Sequence, residues 1–119
     1  MRQEKDNTIV IKSKLFAIRI IRLYQYLTSH FNEWVMSKQI LKSGTSIGAN
    51  VKEAIRGQSK SDFAAKMNIA LKEASETEYW LELLHETDYL SDDEFKSIFA
   101  DSKELIKLLT AIVKSSFDK

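Results

Sequence analysis

Leu41-Lys42-Ser43-Gly44-Thr45-Ser46-Ile47-Gly48-Ala49-Asn50-Val51-Lys52-Glu53-Ala54-Ile55-Arg56-Gly57 is the stretch that decides the fold. With Ile40 just ahead of it, Gly44, Ile47, Val51, Ala54 and Ile55 recur on one side at helical spacing. Ser46, Asn50 and Glu53 stand at i, i+4 and i+7, within about 60° of one another around a helix. A helix carrying an apolar stripe and a separate ordered set of small polar groups packs on two sides. Gly44 and Gly48 lie inside it, and each costs about 1 kcal/mol of helix propensity relative to alanine. Close approach of a neighbouring backbone is the simplest compensation. Gly57 stands where a left-handed glycine ends a helix, so this element is predicted over about 33–56.

Helical patterns lie on both sides of it. The first is predicted over about 8–30, capped by Asn7 or Thr8. Ile9, Phe16, Ile20, Leu23 and Leu27 make one stripe, Ile11, Leu15 and Ile18 a second, and Val10, Ile21 and Tyr24 widen the set. One bundle face needs about 100° of arc, so the surplus points to a subunit interface; the other reading is a helix buried centrally in its own domain. The third helix, about 61–87 and starting from Ser59 or Ser61, carries Phe63, Met67, Ala70, Ala74, Thr77, Leu81 and Leu84 at alternating spacings of four and three, a bundle seam. Its small residues Ala70, Ala74 and Thr77 admit a close neighbour. The fourth, about 92–116, opens on Ser91-Asp92-Asp93-Glu94, a capping box. Its inner face is Phe95, Ile98, Phe99, Ser102, Leu105, Ile106, Leu109, Ile112 and Val113, and residues 116–119 are expected to fray. Short connections make sequential helices antiparallel. The expected fold is all-α, an up-down-up-down antiparallel four-helix bundle.

Composition agrees. The chain of 119 residues has the length of one domain, 1–119, with a small core. It has no proline and three glycines, which suits long helices rather than a turn-rich β fold. The absence of cysteine excludes disulfides, thiolate metal sites and thiol nucleophiles. No signal peptide is visible, and Lys12, Lys14, Arg19 and Arg22 interrupt the first apolar run, which excludes a membrane span there. A cytoplasmic location is the expectation. Net charge is +1, but residues 1–60 hold 11 Lys/Arg against 4 Asp/Glu and residues 61–119 hold 7 against 13. An antiparallel bundle sets these halves side by side, so part of the asymmetry is expected to cancel.

The stretch Ser43 to Gly57, followed by Phe63, Ala70 and Glu76-Thr77-Glu78-Tyr79, resembles the four-helix-bundle family named after proteins encoded in intervening sequences of 23S ribosomal RNA genes. The resemblance runs from about Leu15 to Leu109. Its most specific part is Ser46-x-x-x-Asn50-x-x-Glu53 with Gly57, then Phe63, and the acidic pair Glu76 and Glu78. It implies a bacterial four-helix bundle assembled as a ring-shaped homopentamer. The family is also similar to accessory proteins of diversity-generating retroelements, basic pentamers that bind nucleic acid and a reverse transcriptase. Two features depart from that pattern: Lys42 stands where many members have arginine, which loses the bidentate fork, and the net charge is far from strongly basic.

Two readings of Ser46, Asn50 and Glu53 are open: a small binding site, or a buried polar network that fixes helix register or a subunit interface. No nucleophile–base pair accompanies them, so no catalytic residue is assigned and no enzyme is expected. Lys42 can pair with Glu76 or Glu78 on the next helix. Glu82-Leu83-Leu84-His85 has the Glu-x-x-His spacing of di-iron bundles, but Leu81 and Leu84 hold the seam and rotate Glu82 outward. No metal or cofactor is expected, and His85 and His30 read as favourable charges at helix C-termini. Lys38, Lys42, Lys52 and Arg56 line an outer stripe of the second helix. On the first, Lys5, Lys12 and Arg19 recur every seven residues with Arg22 nearby. These are candidate phosphate contacts for RNA or DNA, or simply solvated faces. The functional expectation is a non-enzymatic homo-oligomeric scaffold that binds nucleic acid, or a nucleic-acid enzyme, electrostatically. The alternative is a protein-binding adaptor that uses the acidic third helix (Glu73, Glu76, Glu78, Glu82, Glu86).

Overall fold

A computed structural model describes residues 4–117, with side chains from residue 7 onward. The described residues form four helices: α1 (Glu4–Phe31), α2 (Val35–Ile55), α3 (Lys60–Glu86) and α4 (Asp92–Phe117). The connectors, residues 32–34, 56–59 and 87–91, are too short for anything but antiparallel neighbours. α1 packs on α2, α2 on α3, α3 on α4, and α4 closes on α1; the diagonal pairs have no close backbone approach. The result is the expected up-down-up-down bundle, 46 × 21 × 18 Å.

One contiguous core runs its length. Ile9, Phe16, Ile20, Leu23 and Leu27 bury the predicted inner stripe of α1, and Ile40, Ile47, Val51 and Ala54 that of α2. The α3 seam from Phe63 to Leu84 is buried throughout, and Ile98, Leu105, Leu109 and Ile112 complete the core from α4. The two α2 glycines face α1. A Cβ on Gly48 would lie 3.4 Å from the Ser13 carbonyl oxygen, so this is the expected approach of a backbone. A Cβ on Gly44 would lie 2.7 Å from Ile20 Cγ1, so here a buried side chain fills the space. Across α2 and α3, Ser43 and Thr77 are buried with their hydroxyls 2.8 Å apart, and Thr77 Oγ1 is 2.8 Å from the Glu73 carbonyl oxygen. This is where the small middle of α3 lets α2 in.

The helix ends correct several expectations. α1 is already helical at Glu4, so neither Asn7 nor Thr8 caps it; the Glu4–Asp6 segment contains no helix breaker. α1 ends at Asn32, whose φ of 53° is left-handed. α2 therefore begins at Val35, two residues later than expected. Its cap position, Trp34, offers no side-chain acceptor, and Glu33 does that work: the amides of Val35, Met36 and Ser37 donate to its carboxylate at 3.1, 3.0 and 2.8 Å. Gly57 is not left-handed. Its amide donates to the Ala54 carbonyl at 3.0 Å, and a Cβ there would meet that same oxygen at 3.0 Å and Asp62 Cβ at 3.2 Å. Glycine is needed at position 57 for clearance between α2 and α3, not for its dihedral freedom. The left-handed residue at the far end is Asp88, φ 71°. With Asp88 N–H on the His85 carbonyl and Tyr89 N–H on that of Leu84, it closes α3 in a Schellman turn. Ser59 caps α3 by accepting from the Asp62 amide, and the Ser91–Glu94 capping box forms both of its bonds. α4 continues through Phe117, and the rest of the segment expected to fray lies outside the described residues.

The second α1 stripe is not in the core. Ile11, Leu15 and Ile18 are 59, 58 and 43 % exposed, and Ile21 is exposed beside them. The reading of α1 as a helix buried on all sides is therefore wrong.

Candidate functional site

The polar set of α2 does not form the network that its spacing suggested. Ser46 Oγ donates to the Lys42 carbonyl at 2.6 Å and Asn50 Nδ2 to the Ser46 carbonyl at 2.9 Å, so both bond back onto their own helix. Glu53 is exposed and pairs with Lys66 of α3 at 2.9 Å. The three share a face but make no side-chain-to-side-chain bond with one another, and none is buried. A short hydroxyl or amide reaches its own i−4 carbonyl more easily than a neighbouring helix. The polar pair that bonds across the buried α2–α3 contact is Ser43–Thr77, with Ser43 three residues before Ser46, about one helical turn from the expected set. The signal for it was present, since Ser43 and Thr77 both fall on core stripes.

Lys42 does not pair with Glu76 or Glu78. Glu76 accepts from Trp80 Nε1 at 3.1 Å, and Glu78 Oε2 has the Lys103 ammonium at 3.4 Å. Lys42 sits instead near Glu73. Burial and the Glu76 charge push the Glu73 carboxyl up, and Lys42 partly offsets them. Of the acidic residues on α3, Asp62, Glu76, Glu82 and Glu86 are exposed, while Glu73 and Glu78 are half-buried.

The candidate phosphate contacts divide into two groups. Lys12 pairs with Glu104 at 3.2 Å and Arg19 with Asp101 at 2.9 Å, both across to α4. Arg19 also donates to Ser97 Oγ at 3.1 Å. This is the internal cancellation expected of the charge asymmetry, and it occupies two of the α1 cations. The side chain of Lys5 lies outside the described residues. Arg22 is exposed and donates to Gln25 at 3.3 Å. On α2 the outer stripe is intact: Lys38, Lys42, Lys52 and Arg56 are all exposed. Among the described residues, Lys38, Lys52 and Arg56 have no ion-pair partner. Lys52 and Arg56 stand at the end of the bundle that also holds Lys60 and Lys114, whereas Glu82, Glu86, Asp88, Asp92, Asp93 and Glu94 gather at the opposite end.

At that acidic end, His85 Nε2 lies 2.7 Å from Asp92 Oδ1, and the ring stacks on Phe95 with centroids 4.1 Å apart. The hydrogen bond and charge of His85 hold the Asp92 carboxyl below its usual range. Glu82 is exposed, as the seam required. His30 Nδ1 lies 3.3 Å from the Tyr26 carbonyl in the last turn of α1. No group of His, Asp and Glu among the described residues is arranged to hold a metal ion, and no described helix is long and apolar enough to cross a membrane.

The family model for the 23S rRNA-intervening sequence protein matches residues 5–111. The chain belongs to this family. A solved structure from Bacteroides thetaiotaomicron, described as a protein of unknown function from the S23 ribosomal protein family, is 57% identical. The match covers 92% of this chain and 98% of that one, with a TM-score of 0.91. No curated protein matches. The resemblance carried by Ser43–Gly57 and Glu76–Tyr79 is thus confirmed at the level of family and fold.

Proposed function

We propose that the chain is a non-enzymatic homo-oligomeric scaffold that holds a polyanion, RNA or DNA, on the outer face of α2. The observation that carries this reading is the Lys38–Lys42–Lys52–Arg56 stripe, exposed and largely without ion partners, on a protein whose other cations are partly consumed by α4. Such a stripe contacts phosphates by charge and reads no sequence. Oligomerisation multiplies it. A single copy offers four cations, and repeated copies turn a weak contact into an avid one. The description of the family, proteins of a ribosomal RNA intervening sequence, supports a nucleic-acid setting. The adaptor reading has less support, because Glu78 is engaged by Lys103 and Glu73 is half-buried.

The test is light scattering with and without a mixed RNA/DNA oligonucleotide across a salt series. A multi-protomer particle that gains nucleic acid at low salt and loses it as salt rises is the expected result. Neutralising one α2 cation should flatten the slope of log K against log salt by about 0.7–0.9 for each protomer contact. A particle that ignores nucleic acid at low salt would overturn the polyanion part of the reading.

A further inference from the structure

α1 and α3 carry large exposed apolar side chains on the stripe opposite their buried one; the matching stripes of α2 (Gln39, Lys42, Ala49, Glu53) and α4 (Ala100, Glu104, Lys107, Ala111, Lys114) carry none. Each buries one stripe at spacings of four and three, and each carries a second such stripe two residues further on, turned about 200° away. On α1 the outer stripe is Ile11, Leu15, Ile18, Arg22 and Gln25, all exposed. On α3 it is Ala65, Ile69, Lys72, Glu76 and Tyr79, also all exposed, with Ile69 39 % and Tyr79 54 % accessible. The two helices are diagonal in the bundle, so the stripes face outward on opposite sides. In an up-down-up-down bundle they also run in the same direction.

We infer that α1 of one copy packs in parallel along α3 of the next, the outer stripes forming an intermolecular seam. This specifies the interface of the oligomer proposed above and rests on that reading. A register difference of 54 residues sets the stripes face to face at every position. Leu15 then meets Ile69, Ile18 lies against the aliphatic stem of Lys72, and Arg22 stands opposite Glu76. A shift of one heptad either way puts Leu15 against Glu76 and Arg22 against Leu83, or Leu15 against Asp62 and Arg22 against Ile69. The charge match therefore selects the unshifted register. The Ile20–Gly44 and Ser43–Thr77 contacts place the paired residues at the same height in the bundle to within about one helical turn. An α1-to-α1 contact would set Arg22 against Arg22 if parallel or beside Ile11 if antiparallel, and in both cases would leave Ile69 and Tyr79 uncovered. A contact joining two different faces is heterologous, so it closes into a ring or extends into a filament rather than stopping at a dimer.

The chain has no cysteine, which makes the seam directly testable. Leu15→Cys and Ile69→Cys are made as separate chains. Both positions are exposed, so the core is untouched, and circular dichroism checks the fold. Oxidising a mixture of the two should give disulfide-linked pairs that neither variant gives alone. Arg22→Glu should dissociate the particle at concentrations where the parent is assembled, and Arg22→Glu with Glu76→Arg should restore it. Pairs formed by Leu15→Cys alone would show an α1-to-α1 contact and overturn the seam. An assembled particle with no cross-link and no response to the charge swap would overturn the seam but leave the scaffold standing. A mass of one protomer at all concentrations would remove both.

Discussion

Glu33 holds the start of α2 from just outside the helix. Burial pushes its carboxyl up, but the amides of Met36, Ser37 and Val35 and the Ser37 hydroxyl outweigh that, and its pKa falls below the ordinary 4.5. The folded state therefore prefers the carboxylate. Its contribution is fully present above about pH 4.5 and is lost as pH falls through the lower, folded value. Glu33→Gln should cost about 1 kcal/mol at neutral pH, in the range of a lost helix cap, and should flatten the acid limb of the stability–pH profile measured by urea unfolding. The two α2 glycines make a second contrast. Alanine at either position gains about 1 kcal/mol of helix propensity. At Gly48 the new methyl meets ordinary contact distances, so Gly48→Ala should stabilise the protein. At Gly44 it meets Ile20 at 2.7 Å inside the core, and overpacking costs about 1–3 kcal/mol. Gly44→Ala should therefore destabilise it, and thermal melts of the two variants should shift in opposite directions.

Between elements, the contact of α2 with α3 turns on Ser43 and Thr77. Thr77→Val leaves the Ser43 hydroxyl buried with only the Ile40 carbonyl, 3.5 Å away, which costs about 1–3 kcal/mol; Ser43→Ala costs less, because Thr77 keeps the Glu73 carbonyl at 2.8 Å, and removing both hydroxyls is nearly neutral if the shape is kept. Ser43→Ala and Thr77→Val should each destabilise the protein, and the double variant should lose less than the sum. A double-mutant cycle by denaturant unfolding measures the difference, and strict additivity would contradict the coupling. The α1–α4 contact is of another kind, with exposed ion pairs at Lys12 and Arg19 that are each worth about 0–1 kcal/mol. These pairs align two helices more than they stabilise them.

At the scale of the molecule, the cations separate by task. Reversing Lys38, Lys52 and Arg56 to glutamate should abolish polyanion binding with little effect on the melting temperature, because these side chains touch no acidic partner among the described residues. Reversing Lys12 and Arg19 should do the opposite: it costs stability through repulsion with Glu104 and Asp101 and leaves most of the affinity. Filter binding at low salt, read alongside thermal melts, separates the two outcomes. Equal loss of affinity from both sets would mean that the α1 cations leave α4 to reach the ligand.

The four helices, their core faces and the starts of α3 and α4 were legible in the chain, because apolar periodicity and the Ser59 and Ser91 caps are local properties. Ile40 to Ala54 and Phe63 to Leu84 bury as their spacing requires. Gly57 was misread because its position after a helix fits two different needs, a left-handed turn or simple clearance, and only the packing of Asp62 and Phe63 against it distinguishes them. Ser46, Asn50 and Glu53 were correctly placed on one face, but hydrogen bonds follow the nearest acceptor, and for Ser46 and Asn50 that was their own helix. The charge halves were visible in the sequence. Which cations would be neutralised was not, since Lys12 and Arg19 find Glu104 and Asp101 only when the last helix folds back on the first. The outer stripe of α3 was present as well, at spacings of four and three, yet Lys72 and Glu76 break its apolar pattern. Sequence fixes which residues share a helical face by local geometry alone; which of two faces turns inward is decided when four helices compete for a single core.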